Sequence, residues 1–210
     1  MKNKRMQVIS VFGQKGGAGK STIAIHLSVE ASNEKKTALV DADGQGTGAA
    51  WASGRAKEEP AVVQGSSSNI RELLDSAEED GYELVFVDCP PHAIAGAAEL
   101  ASVADLIVVP VQPTFPDMAA LGVALSIVKA AGKPFVFVLT RADDKAPETR
   151  EVIDKLSEIA PVCPALFSER KAYSRALAKG LSVSETKTKR EQDARNESKA
   201  VYQWLMENAK

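Results

Sequence analysis

Cysteine is scarce in this 210-residue chain, which has only Cys89 and Cys163. Two isolated cysteines exclude a disulfide framework and a paired-cysteine zinc site, and they suit a reducing compartment. Long apolar runs are missing too. The longest nearly apolar stretch, Met118 to Val128, falls short of the roughly 20 residues that a membrane-spanning helix needs. The basic start, Met1-Lys2-Asn3-Lys4-Arg5-Met6, runs into a strand-like segment rather than a signal-peptide apolar region with a cleavage site. Nor does one sign of charge dominate. A net charge of −2 excludes a globally basic nucleic-acid binder. A soluble cytoplasmic protein is the expectation.

What is present suits a folded domain. With 44% hydrophobic and 26% charged residues, the chain has both a core and a surface, unlike a low-complexity tail or disordered activator. The length favours one domain spanning residues 1–210. Charge is nevertheless uneven. From Ala165 to Lys210 there are 10 Lys/Arg against 6 Asp/Glu, while the remainder carries a net of −6. A basic C-terminal quarter on an acidic body points to an anionic partner.

Five apolar runs rich in β-branched residues read as strands: Gln7–Phe12, Thr37–Asp41, Leu84–Asp88, Leu106–Pro110 and Phe135–Thr140. They lack alternation, as expected of strands buried on both faces of a parallel sheet. Amphipathic segments lie between them. Asn69 and Glu72 resemble a capping box, followed by Ile70, Leu73, Leu74 and Ala77 on one face. Pro147 opens a helix with Val152, Leu156 and Ile159 inward and Pro161 ending it. A last helix over about 192–208 would bury Val201, Tyr202 and Leu205, behind a polar stretch from Ser182 to Ser198. Strand–helix alternation predicts a doubly wound α/β fold with a mainly parallel sheet and helices on both faces. Ligands of such sheets bind at the carboxyl ends of the strands.

After the first strand comes Gly13-Gln14-Lys15-Gly16-Gly17-Ala18-Gly19-Lys20-Ser21-Thr22, opening a helix with Ile23 and Leu27. Glycines allow a tight turn whose successive N–H groups converge on phosphate at the positive end of the helix. Lys20 supplies charge for the β- and γ-phosphates, and the Ser21 hydroxyl is placed to ligate Mg²⁺. The first glycine of the general G-x-x-x-x-G-K-[ST] pattern is replaced by Gln14, and a second lysine, Lys15, stands beside it. Four apolar residues ending in Asp88, within Leu84-Val-Phe-Val-Asp88-Cys-Pro-Pro-His92, suit a Mg²⁺-binding carboxylate acting through water. Asp41-Ala42-Asp43-Gly44 closes the second strand, one helix and one strand after Lys20, and so returns to the same sheet edge.

KGGAGKST resembles the deviant Walker A motif of the ParA/MinD superfamily of P-loop ATPases, and the resemblance extends from about Gln7 to Leu205. It implies ATP and Mg²⁺ as cofactors, with Gly16, Gly17, Ala18, Gly19, Lys20, Ser21 and Thr22 around the nucleotide. It also implies an ATP-dependent homodimer in which Lys15 reaches the partner's nucleotide. Lys15, Lys20 and Asp43 would be catalytic, Asp43 positioning the attacking water. Ser21 and Asp88 would serve the metal, with Asp41 supporting its water shell. Gly44 stands where the family usually has proline. Thr140-Arg141 matches a position near the base, with Arg141 binding nucleotide. Val111 to Asp117 resembles the segment that leads into a dimer-interface helix.

Trp51 and the segment Phe167 to Gly180 resemble the short, plasmid-type ParA proteins. That likeness implies DNA binding without sequence preference through Arg170, Lys171, Arg175 and Lys179, with Lys187, Lys189 and Arg190 behind them. It also implies a nucleoid-associated location and a ParB-like adaptor that stimulates hydrolysis during plasmid or chromosome segregation. An alternative keeps the ATPase and changes the cargo to a protein assembly on the nucleoid. A MinD-like regulator would need a basic amphipathic membrane helix, and a metal-cluster scaffold a C-x-x-C pair; neither pattern is evident. Cys163 does not match the cysteines of the nitrogenase iron protein, so Cys89 reads as a buried thiol. His26 reads as packing, and His92 as part of a switch loop.

Overall fold

The computed structural model describes residues 5–91 and 94–208. Its elements are β1 (Gln7–Val11), α1 (Lys20–Ser32), β2 (Thr37–Asp41), α2 (Thr47–Ser53), β3 (Ala61–Gln64), α3 (Ile70–Glu79), β4 (Leu84–Asp88) and α4 (Ile94–Ser102). Then come β5 (Leu106–Val111), α5 (Phe115–Ala130), β6 (Phe135–Ala142), α6 (Pro147–Ser157), β7 (Phe167–Ser168), α7 (Lys171–Leu177) and α8 (Gln192–Asn208). Two 3-10 turns, Val183–Glu185 and Lys189–Glu191, precede α8. His92, expected in a switch loop, lies outside the described residues, as does the run Met1–Lys4.

The strands form one parallel sheet in the order β3-β2-β4-β1-β5-β6-β7. Parallel strands covered on both faces need apolar side chains on both, which is why the central runs show no alternation. One face packs Val8, Val40, Val85, Val87, Ile107 and Val109 against α3 to α6. The other packs Ile9, Val11, Leu39, Phe86 and Val108 against α1, Trp51 of α2, Tyr173 of α7 and the Val201–Leu205 face of α8. Fully buried side chains such as Ile9, Phe86 and Leu106 each stabilise the fold by about 1.5–3 kcal/mol relative to exposure. Cys89 and Cys163 are both free and buried, one in each layer.

The register fixes the functional edge. Asp88 pairs with Asp41 of β2 on one side and with Val11 of β1 on the other. Three loops separated in sequence therefore emerge side by side.

Several local expectations are corrected. Strands β3 and β7 are two further elements at the sheet edges. Asn69 does not cap α3 through its side chain; its Oδ1 instead accepts from the Ser66 N–H at 2.8 Å and the Ser66 hydroxyl at 3.0 Å. A capping box does occur at Ser182 and Glu185, inside the stretch read only as polar. Helix α6 stops at Ser157, so Ile159 lies beyond it and is 39% exposed instead of inward, and the helix ends before Pro161. No helix among the described residues is long and apolar enough to cross a membrane.

Candidate functional site

Gly17 and Gly19 adopt φ of 76° and 97°, and Gly19 is the N-cap of α1. Side chains rarely tolerate that region, and a Cβ on Gly19 would also stand 3.2 Å from Thr140 Cγ2. Three side chains then orient the loop. Lys20 Nζ donates to the Lys15 carbonyl at 3.0 Å. Gln112 Nε2 donates to the Gly17 carbonyl and Thr140 Oγ1 to the Ala18 carbonyl, each at 2.8 Å. A planar peptide points its N–H opposite its C=O. Each tie therefore turns the following N–H, that of Gly16, Ala18 or Gly19, away from the donor that holds the carbonyl.

Beside the loop stands a cluster of buried charge. Asp88 is wholly buried, and neither of its oxygens has a hydrogen-bond partner among the described residues. Burial raises its carboxyl to about 7; Ser21 and Lys20 oppose that shift, while Asp41 and Asp43 add to it. A buried carboxylate with free oxygens next to a hydroxyl is an oxygen donor set suited to a hard divalent cation. Burial likewise pushes the Lys20 ammonium below its ordinary value, against the pull of Asp88 and Asp43. Asp41 is also buried, but both its oxygens are engaged, Oδ1 by the Asp43 N–H at 3.2 Å and Oδ2 by the Ala49 N–H at 2.9 Å. It ties the Asp43 loop to the start of α2. Asp43 is half-buried, and its Oδ1 accepts from the Gln45 N–H at 3.0 Å.

A cavity of about 540 Å³ opens at this edge. Gly16, Gly17, Gly19, Lys20, Ser21, Thr22 and Asp43 line one end, and Thr140 with Arg141 flank it. Arg141 has φ of 48°, where the register of β6 against β7 is irregular. The far wall is the segment from Phe167 to Leu177, including Arg170 and Lys171. Two residues expected at a DNA surface thus also border the cavity. Arg170 is already paired, with Glu197 at 2.8 Å and Asp193 at 3.3 Å. Lys171, Arg175 and Lys179 are exposed, as are Lys187, Lys189 and Arg190.

Lys15 stands apart from the cavity. Its ammonium is bonded to Asp117, which is buried near the start of α5 and accepts from the Thr114 hydroxyl at 2.6 Å. Behind the loop, His26 is fully buried, and burial lowers its pKa to about 3. Its Nδ1 accepts from the Val183 N–H at 3.2 Å and lies 2.9 Å from the Ser182 hydroxyl. Trp51 donates to the Leu181 carbonyl at 3.2 Å and lies under Arg55, whose guanidinium is ion-paired with Glu185. The roles of Gln112 and Asp117 had one sequence signal, their place after a strand at the carboxyl edge. Glu197 had none.

Comparison with known proteins places this site in context. A family model described as the CobQ/CobB/MinD/ParA nucleotide binding domain matches residues 9–183. The maintenance of carboxysome distribution protein A of Gloeobacter kilaueensis is 32% identical over 203 residues, covering 95% of this chain and 94% of the relative. Its namesake in Halothiobacillus neapolitanus is 27% identical over 192 residues, covering 87% and 89%. The chromosome-partitioning ATPase Soj of Thermus thermophilus is 28% identical over 170 residues, covering 64% and 67%. Among solved structures, apo McdA of Cyanthece superposes with a TM-score of 0.76 at 14% identity, covering 96% of this chain and 98% of that one. A Borrelia burgdorferi plasmid partition protein bound to AMPPNP gives a TM-score of 0.74 at 16% identity, covering 97% and 100%. These two likenesses concern the fold.

Proposed function

The chain belongs to the CobQ/CobB/MinD/ParA nucleotide-binding family, and from that premise we propose an ATPase that distributes a protein assembly along DNA. ATP with Mg²⁺ drives its dimerisation, the dimer binds DNA without sequence preference, and hydrolysis releases it. The observation that carries the cargo assignment is the relationship to carboxysome distribution proteins, which at 32% identity spans nearly all of both chains.

The chemistry follows from this chain's own residues. The backbone amides of the loop and Lys20 hold the phosphates. Ser21 and the free oxygens of Asp88 would hold Mg²⁺, which when bound supplies positive charge beside the β- and γ-phosphates. Asp43, at the end of the same cavity, orients the attacking water. Lys15 must leave Asp117 before it can neutralise a partner's nucleotide. The adjoining face of α5 suits a second copy, because Phe115 is 86% and Val123 53% exposed. The exposed positions from Phe115 to Ser126 carry no charge. Lys171, Arg175 and Lys179, doubled in a dimer, give the anionic-partner surface.

DNA segregation is the second reading, favoured by the likeness to Soj. Anisotropy titrations on two unrelated duplexes, with ATP and with ADP, test the shared mechanism; equal binding in both nucleotide states would sink it. Deleting the gene then separates the cargoes. Clustered protein bodies with stable plasmids support the first reading, and plasmid loss with dispersed bodies supports the second.

A further inference from the structure

The cavity wall that faces the phosphate loop has little backbone support of its own. Strand β7 contributes two residues, and its register against β6 is irregular between Thr140 and Ala142. Beyond it the chain runs through Glu169 and Arg170 before α7 begins, and these residues border the cavity. Glu197 of α8 makes good the deficit. Its Oε1 accepts from the Ser168 hydroxyl at 2.7 Å and from Arg170 Nε at 2.8 Å. Its Oε2 accepts from the Ser168 N–H at 3.2 Å and the Tyr173 hydroxyl at 2.6 Å.

An ionised carboxylate offers about four acceptor sites and no donor, and here each site meets a donor. All the donors belong to residues that line the cavity, whereas Glu197 stands behind them. Helix α8 is itself fixed, since Ala194, Val201 and Leu205 are buried in the layer that holds α1. Tyr173 is braced from α1 as well, with the His26 ring edge-on at 5.2 Å. The phosphate loop caps α1, so the two ends of the cavity are referenced to one rigid body. Charge-assisted bonds of this kind are the stronger ones.

We infer that Glu197 is a positioning residue for the nucleoside end of the nucleotide. It sets the separation between the Phe167–Leu177 wall and the phosphate loop, and hence nucleotide affinity, without touching the nucleotide. The inference rests on the cavity being an ATP site. It also commits Arg170 to the clamp, leaving Lys171, Arg175 and Lys179 as the freer cations of this segment.

The test is Glu197→Gln in the full chain. The amide NH₂ must face either Arg170 Nε–H or the Ser168 N–H, so one donor is opposed in both orientations. The KM for ATP and the Kd of a fluorescent ADP analogue should rise roughly tenfold, with kcat held within about twofold. Tyr173→Phe and Ser168→Ala, which remove single donors, should shift KM in the same direction by about two- to threefold. They carry the test if Glu197→Gln does not fold. Asp193→Ala removes the exposed second partner of Arg170 and should leave KM unchanged. Wild-type affinity in all the clamp variants, or a fall in kcat at constant KM, overturns the inference. A wild-type protein that binds no nucleotide overturns the ATP-site reading, and the inference with it.

Discussion

At the phosphate end of the cavity, strands β1, β2 and β4 lie side by side and each delivers one functional loop. At the end assigned above to the nucleoside, a two-residue edge strand continues into a short helix, and Glu197 of α8 ties the two together through Ser168, Arg170 and Tyr173. The first end is rigid because neighbouring backbone ladders and three carbonyl ties define it. The second has one short, irregular ladder and depends mostly on side-chain ties, so it is the end at which sequence change can retune affinity without disturbing chemistry. Loss of the water-positioning group at the phosphate end should therefore act on kcat, whereas substitutions around the wall should act on KM.

The largest effect expected from this contrast is at Asp43. Asp43→Ala should lower kcat by about 10²–10⁴-fold, the usual worth of a group that positions or activates a nucleophile. ATP binding should persist and a dimer accumulate, read by phosphate release beside size-exclusion with ATP. Normal turnover would remove Asp43 from the chemistry and blur the distinction between the ends.

Next comes the pH dependence of the metal requirement. Burial raises the Asp88 carboxyl to about 7, so below that value a proton competes with Mg²⁺ for the same oxygens. The Mg²⁺ concentration for half-maximal nucleotide binding should rise as pH falls, approaching about tenfold per unit well below the pKa. A flat dependence between about pH 6 and 8 would mean that Asp88 does not hold the ion.

A smaller effect tests the carbonyl ties. Gln112→Leu with Thr140→Val frees the Gly17 and Ala18 carbonyls and should cost about fivefold in nucleotide affinity through lost preorganisation. Unchanged affinity would show that the glycines alone shape the loop.

His26 should influence activity least and stability most visibly in acid. Its pKa falls from 6.5 to about 3 on folding, so between those values the unfolded chain binds a proton that the folded chain refuses. Stability should therefore be lost as the pH drops from about 6.5 towards 3, by about 1.4 kcal/mol per unit at the steepest. Urea melts of His26→Asn should show a shallower slope; an equal slope would place the acid sensitivity elsewhere.

The legible features were those written locally. Five apolar runs marked central strands because double-faced burial demands uninterrupted apolar residues. β3 and β7 escaped because they are short, edge-lying and partly exposed. Asn69 had the residue type of a cap, but the Ser66 N–H and hydroxyl had already claimed its side-chain oxygen. Arg170 looked like a free cation, and nothing near it in sequence announced Glu197, 27 residues on.

The sequence by itself determined the glycine loop, its lysines and the carboxylates that follow the strands. Those depend on residue type and on spacing along one strand–loop–helix unit. Tertiary structure alone decided that Asp88 would sit between Asp41 and Val11, that Lys15 would meet Asp117 across 102 residues, and that the basic segment would double as a cavity wall. Strand order and helix docking set those neighbours, and a linear pattern carries no record of which distant donor will reach a given acceptor.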